Sequence, residues 1–118
     1  MPAKPVEIGV RHESEVAIVG LRGEINAFAE DPLNAAYADA EGRNPKAILL
    51  NFSGVDYINS TGIALIVGLL ARARDSNRRL LACGLSDHYV EIFNITRLVD
   101  YMGVFPDEAS AMAEVCLS

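Results

Sequence analysis

The chain has 118 residues, 51% hydrophobic and 22% charged, which excludes a disordered segment and suits one domain that closes a core without disulfide or metal staples. Its formal net charge of −6 repels phosphate backbones and anionic lipid. Nucleic acid and membrane surfaces are therefore excluded as expected partners, while a basic protein surface would be attracted. Trp is absent and aromatics are few, so packing must rely on Leu, Ile, Val and Ala.

Val6, Ile8 and Val10 alternate with Glu7, Gly9 and Arg11, the period of a half-buried strand. A second strand is expected from about Glu15 to Leu21, and the polar segment 11–15 between them suggests an antiparallel hairpin. Gly23-Glu24-Ile25-Asn26 reads as a loop. Asp31-Pro32 looks like a helix start, with an earlier start near Ala27 as the alternative; the helix runs to about Glu41 and ends at Gly42. Lys46 to Phe52, a continuous apolar run, reads as a strand buried on both faces of a parallel sheet. Ser53 to Asn59 reads as a loop, followed by a helix from Ser60 or Thr61 to about Asp75. Arg72 and Arg74 in its last turn suit the negative end of the helix dipole.

Ser76-Asn77 makes a turn, and Arg79 to Cys83 is another buried strand closed by Gly84. Ser86 or Asp87 caps a helix to about Asn94. A short strand at 102–105 leads into a last helix that starts at Pro106-Asp107-Glu108, with Ala109, Met112 and Ala113 as its inner stripe. The order β-β-α-β-α-β-α-β-α implies an α/β fold with a single mixed sheet. Its first strand is antiparallel to the second and the rest are mainly parallel, with about four helices packed on it and right-handed crossovers. The whole chain, 1–118, reads as one domain, without linker, repeat or low-complexity segment.

The two cysteines, Cys83 and Cys116, form no CxxC pair and have no metal-ligand spacing, so they are expected as reduced core fillers of a cytoplasmic protein. The opening MPAKPVEIGVRH lacks the apolar stretch of a signal peptide. The apolar run from Ile63 to Ala71 is roughly half of the ~20 residues a membrane helix needs. Asn59-Ser60-Thr61, Asn94-Ile95-Thr96 and Asn51-Phe52-Ser53 match the glycosylation pattern, but a cytoplasmic chain does not meet that machinery.

In a sheet of this kind function gathers where parallel strands end and helices begin. The segment 51–61 is such a place. Ser60 is expected to be the N-cap of the following helix, with Thr61 in its first turn and Gly62 keeping the approach open. A phosphate on Thr61 would lie at the positive end of the helix dipole beside unpaired amides. The simpler reading is that Ser60 and Thr61 only cap a helix. A nucleophile is disfavoured: His12 and His88 lie elsewhere, and no G-x-S-x-G elbow, P-loop or metal-ligand cluster is present. No catalytic turnover and no cofactor are expected.

The longer segment AILLNFSGVDYINSTGIALIVGLLARARDSNRRLLACGLSDHYVEIFNITRLVDYM resembles the STAS domain, the family of anti-sigma factor antagonists and sulfate-transporter regulatory domains. Residues 51–62 fill the family pattern D-x-S-x-V-x-x-I/M-D-S-[ST]-G at full spacing, apart from the acids. Cys83-Gly84-Leu85-Ser86 and the helix through Ile92-Phe93 also match. The resemblance implies a binding module that sequesters an anti-sigma factor of the Ser/Thr kinase type. Phosphorylation at the position of Thr61, with Ser60 as runner-up, would end binding and a phosphatase would reset it. It implies a partner surface of Asn26, Asn59, Ser60, Thr61, Gly62 and Ala64. The other implied role is a non-phosphorylated subunit of a stress-signalling or lipid-transport complex. Self-association is left open.

The chain departs from the family pattern where acids are usual, at Asn26, Asn51 and Asn59, which together suggest three amides around one site and slower transfer to Thr61. The apolar helix has more apolar residues than one face can hold. Ile63, Leu65, Ile66, Leu69 and Leu70 are expected to be shared between the sheet and a neighbouring helix, and Ala64, Val67 and Gly68 form a candidate exposed docking patch.

Overall fold

The computed structural model describes residues 5–117, with side chains through Val115, so Met1–Lys4 and the side chain of Cys116 lie outside the described residues. Strands β1 (Glu7–Glu13), β2 (Val16–Ile25), β3 (Ala47–Ile58), β4 (Arg79–Cys83) and β5 (Gly103–Phe105) form one sheet in the order β1-β2-β3-β4-β5. β1 pairs antiparallel with β2, and the other neighbours are parallel. Among the described residues four α-helices accompany it: α1 (Glu30–Glu41), α2 (Ser60–Asp75), α3 (Asp87–Ile95) and α4 (Glu108–Leu117).

Consecutive parallel strands joined by right-handed crossovers place their helices on one face. α1, α2 and α3 accordingly bury Leu33, Tyr37, Ile66, Leu69 and Phe93 against Ala17, Val19, Leu21, Ile48 and Leu50. Phe52 and Phe93 meet edge to face at 6.1 Å, tying α3 to β3. α4 covers the opposite face, where Ala111 and Val115 pack with Val16, Ile18, Leu49, Leu81 and Cys83. Away from the site, Glu41 of α1 accepts from Arg72 of α2 at 2.6 Å, and Arg72 also lies over the Tyr37 ring. These contacts hold α2 at a set angle to the sheet.

Four sequence expectations change. The hairpin turn is shorter than 11–15: β1 continues to Glu13, and Ser14 takes the turn with a positive φ of 56°. The segments read as loops, 23–25 and 53–58, are strand. They pair with each other through Arg22↔Gly54, Gly23↔Val55, Glu24↔Tyr57 and Ile25↔Ile58, across two register shifts. The pairing is long-range: Gly23 and Ile25 are buried in it, while 53–57 are mostly exposed and carry no burial pattern. A one-turn 3-10 helix at Ala27–Ala29 precedes α1, and another, Leu98–Asp100, precedes β5. In α4 the inner residues are Ala111 and Val115, with Met112 at their flank; Ala109 and Ala113 face solvent. Alanine fits either face, so composition could not choose between them.

Candidate functional site

The ends of β2 and β3 run side by side and deliver Asn26 and Asn59 to the start of α2. The Asn59 amide donates to the Ile25 carbonyl at 3.2 Å, joining the two strand ends. The Asn59 side chain then accepts from the Gly62 amide at 2.8 Å and its carbonyl accepts from the Ile63 amide at 2.9 Å. Asn59, not Ser60, is therefore the N-cap, and Ser60 becomes the first helical residue. The shift follows from the extended backbone of Asn59, φ −89° and ψ −178°, which aims its side chain back into the turn.

Ser60 and Thr61 are both exposed, and among the described residues no hydrogen bond engages either hydroxyl. Their amides belong to the first turn of α2 and have no intrahelical acceptor. Gly62 is buried beneath them, and a Cβ there would run into the Ile25 carbonyl and lie 2.9 Å from the Ile58 side chain. Gly62 thus permits the close approach of helix and strand end that sets Thr61 at the surface. Below it, the Tyr89 hydroxyl of α3 accepts from the Ile58 amide at 2.8 Å and faces the Ile58 carbonyl at 3.4 Å. This contact satisfies the end of β3, and its partner lies too far along the chain for sequence reasoning to supply it.

Asn26 caps the neighbouring 3-10 turn, its side chain accepting from the Phe28 amide at 2.9 Å. Of the three amides expected around one site, two are there. Asn51 faces the α4 side of the sheet instead. Its amide donates to Glu108 at 2.6 Å, and its oxygen accepts from the Ser53 amide at 2.9 Å and the Ser53 hydroxyl at 2.7 Å. Arg11 pairs with the same Glu108 at 2.6 Å. The Arg11 and Asn51 hydrogen bonds hold the Glu108 carboxyl below its ordinary range.

Ala64, Val67, Gly68 and Ala71 are exposed along the outer side of α2, continuing from Ser60. Ile66, Leu69 and Leu70 are buried, while Ile63 and Leu65 are half-buried, which resolves the division of the apolar helix. Phe28, which the sequence reading did not single out, is 88% exposed beside this surface. The available signal was an aromatic residue inside the polar turn Asn26-Ala27-Phe28-Ala29-Glu30. Among the described residues no group of three or more His, Cys, Asp or Glu could hold a metal, and no helix is long and apolar enough to cross a membrane.

Three comparisons bear on this geometry. The family model of the STAS domain matches residues 7–111. The chain is 30% identical over 86 residues to the anti-sigma-B factor antagonist of Staphylococcus aureus, covering 73% of this chain and 80% of that one. Its fold is similar to the crystal structure of an anti-sigma factor antagonist from Mycobacterium paratuberculosis, with a TM-score of 0.77, 19% identity and coverage of 97% and 98% of the two chains. It is also similar to the Bacillus cell fate determinant SpoIIAA in its phosphorylated form, with a TM-score of 0.72, 20% identity and coverage of 92% and 99%.

Proposed function

The chain belongs to the STAS domain family, and from that premise we propose that it is an anti-sigma factor antagonist of the cytoplasm, switched at Thr61. It acts by binding and not by turnover. The bound partner is an anti-sigma factor that is also a Ser/Thr kinase, and phosphorylation of Thr61 releases it until a phosphatase restores the hydroxyl. The surface engaged comprises Asn26, Asn59, Ser60, Thr61 and the outer side of α2 from Ala64 onward, with Gly62 setting the depth of the helix.

The observation that carries this reading is the exposed, unengaged Thr61 hydroxyl in the first turn of a capped helix. A phosphate there would gain from the helix dipole and from free amides, so the modified chain keeps its fold. The same phosphate would bring roughly −1.5 to −2 charge to a surface that had presented a neutral hydroxyl, and would be desolvated in any interface covering it. The name of the S. aureus relative supports the antagonist role.

The experiment is purification of the tagged chain from its native cells, with mass spectrometry of what accompanies it and of Thr61. A kinase-type anti-sigma factor together with phosphothreonine at 61 is the expected result. Transport or stress-complex subunits with an unmodified Thr61 would replace this reading with that of a standing subunit.

A further inference from the structure

We infer that Phe28 is an aromatic anchor that enters an apolar pocket on the partner, and that basic side chains ring this pocket. The inference deepens the proposed function and rests on it. Phe28 sits on the 3-10 turn between β2 and α1. Phe28 is 88% exposed, although Ala29 beside it is 1% exposed and Leu33 one turn on is 2% exposed. The turn is closed at both levels: the Asn26 side chain accepts from the Phe28 amide, and the Asn26 carbonyl accepts from the Ala29 amide at 2.9 Å. The backbone under the ring is thus tied down while the ring is left in water. Such a residue loses little backbone freedom on association and has a large apolar surface to bury, the combination found in aromatic hot spots.

The surroundings indicate the partner. Tyr57, 52% exposed, lies at the end of β3 opposite Glu24, and the exposed side of α2 begins with Ser60 and Ala64. Among the described residues, this end of the molecule carries Glu30 and Asp31 at the start of α1 and Asp87 at the start of α3, with Arg22, Glu24 and Asp56 on the adjoining strand ends. A second copy would bring the same acids face to face, and nucleic acid or anionic lipid would be repelled. A protein surface with a pocket for one aromatic ring and lysines or arginines around it complements both features. Those charges chiefly steer encounter, while the ring holds the complex together.

The test uses the anti-sigma factor identified by the purification above, expressed and purified, and titrated with wild-type chain, Phe28→Ala, Glu30→Gln/Asp31→Asn and Thr61→Glu. Phe28→Ala is expected to weaken binding at least tenfold through faster dissociation, with its thermal midpoint unchanged. Glu30→Gln/Asp31→Asn is expected to slow association, by an amount that shrinks as salt rises. If Phe28→Ala binds within twofold of wild type while Thr61→Glu does not bind, the anchor is overturned and the switch surface stands. If Thr61→Glu also binds like wild type, the proposed function falls and the anchor with it. Gel filtration of the chain alone separates the last case: self-association lost in Phe28→Ala would assign the ring to a second copy and overturn the inference.

Discussion

Asn51 and Glu108 are joined by an N–H···O hydrogen bond of 2.6 Å across the α4 face of the sheet, on the side away from Thr61. The bond needs an amide on the strand, because a carboxylate has no proton to give at neutral pH. Arg11 completes the group by pairing with Glu108 at 2.6 Å. Asn51 thus supplies a donor that fastens the start of α4. Asn51→Asp should place two carboxylates in contact with one guanidinium to share and cost about 1–2 kcal/mol. Urea melts of the two proteins at pH 7 measure the difference.

The pH dependence follows from the same contact. Arg11 and then Asn51 hold the folded carboxyl of Glu108 below its ordinary value of 4.5. A group with a lowered folded pKa adds stability above its unfolded pKa and loses that stability as pH falls through the folded one. The wild-type chain should therefore lose the Glu108 contribution below about pH 4.5, and Glu108→Gln should flatten that part of the stability profile. The effect is modest, because the Arg11 side chain is 51% exposed and solvent screens the pair. Chemical denaturation from pH 7 to pH 3 reads it, and identical slopes for both proteins would rule it out.

Asn59 and Gly62 separate local capping from close packing. Asn59→Ala removes the acceptor of the Gly62 amide and should cost about 0.5–2 kcal/mol, whereas Asn59→Asp keeps the cap and should be neutral or better. Gly62→Ala should be far more damaging, since its Cβ has nowhere to go without moving α2 off the end of β2. Thermal melts should rank Asn59→Asp highest, Asn59→Ala below it and Gly62→Ala lowest, with Gly62→Ala also altering the near-UV signal.

At Thr61 a fixed charge should act on binding and not on the fold. The first turn of α2 holds no acidic residue, so Thr61→Glu should add about 0.3–1 kcal/mol of stability through the helix dipole. The same variant should lose the purified anti-sigma factor in a titration, while Thr61→Ala binds it and can no longer be released by phosphorylation. Unfolding of Thr61→Glu would show instead that Thr61 is a structural residue.

The Cys83 thiol is expected to be inert. Burial in the sheet, with Glu108 and Asp107 nearby, pushes its pKa up to about 11, so almost no thiolate is present at pH 8. On a Cys116→Ser background, a thiol reagent should react with Cys83 only at the rate of unfolding, and at once in guanidinium.

The sequence alone determined the order of elements and their faces where burial was local and periodic. Val6, Ile8 and Val10 alternate as a half-buried strand must, and residues 46–52 and Arg79–Cys83 read as buried strands, whereas the inner side of α2 was left undivided among its apolar residues. Given that order, alternating strands and helices imply one mostly parallel sheet with helices packed on it, and the motif around Thr61 fell at the entry to a helix. The tertiary structure decided what depends on partners distant in sequence. Residues 53–58 are strand only because 22–25 lie beside them, and Asn59 displaced Ser60 as cap because the Ile25 carbonyl holds its backbone extended. Asn51 left the site because Glu108, 57 positions away, accepts a hydrogen bond from its side-chain amide. Phe28 stands in solvent because the capped turn below it points the ring away from a core that Ala29 and Leu33 already fill. Local periodicity reports how much of a segment is buried, but a hydrogen bond between distant residues leaves no period in either of them.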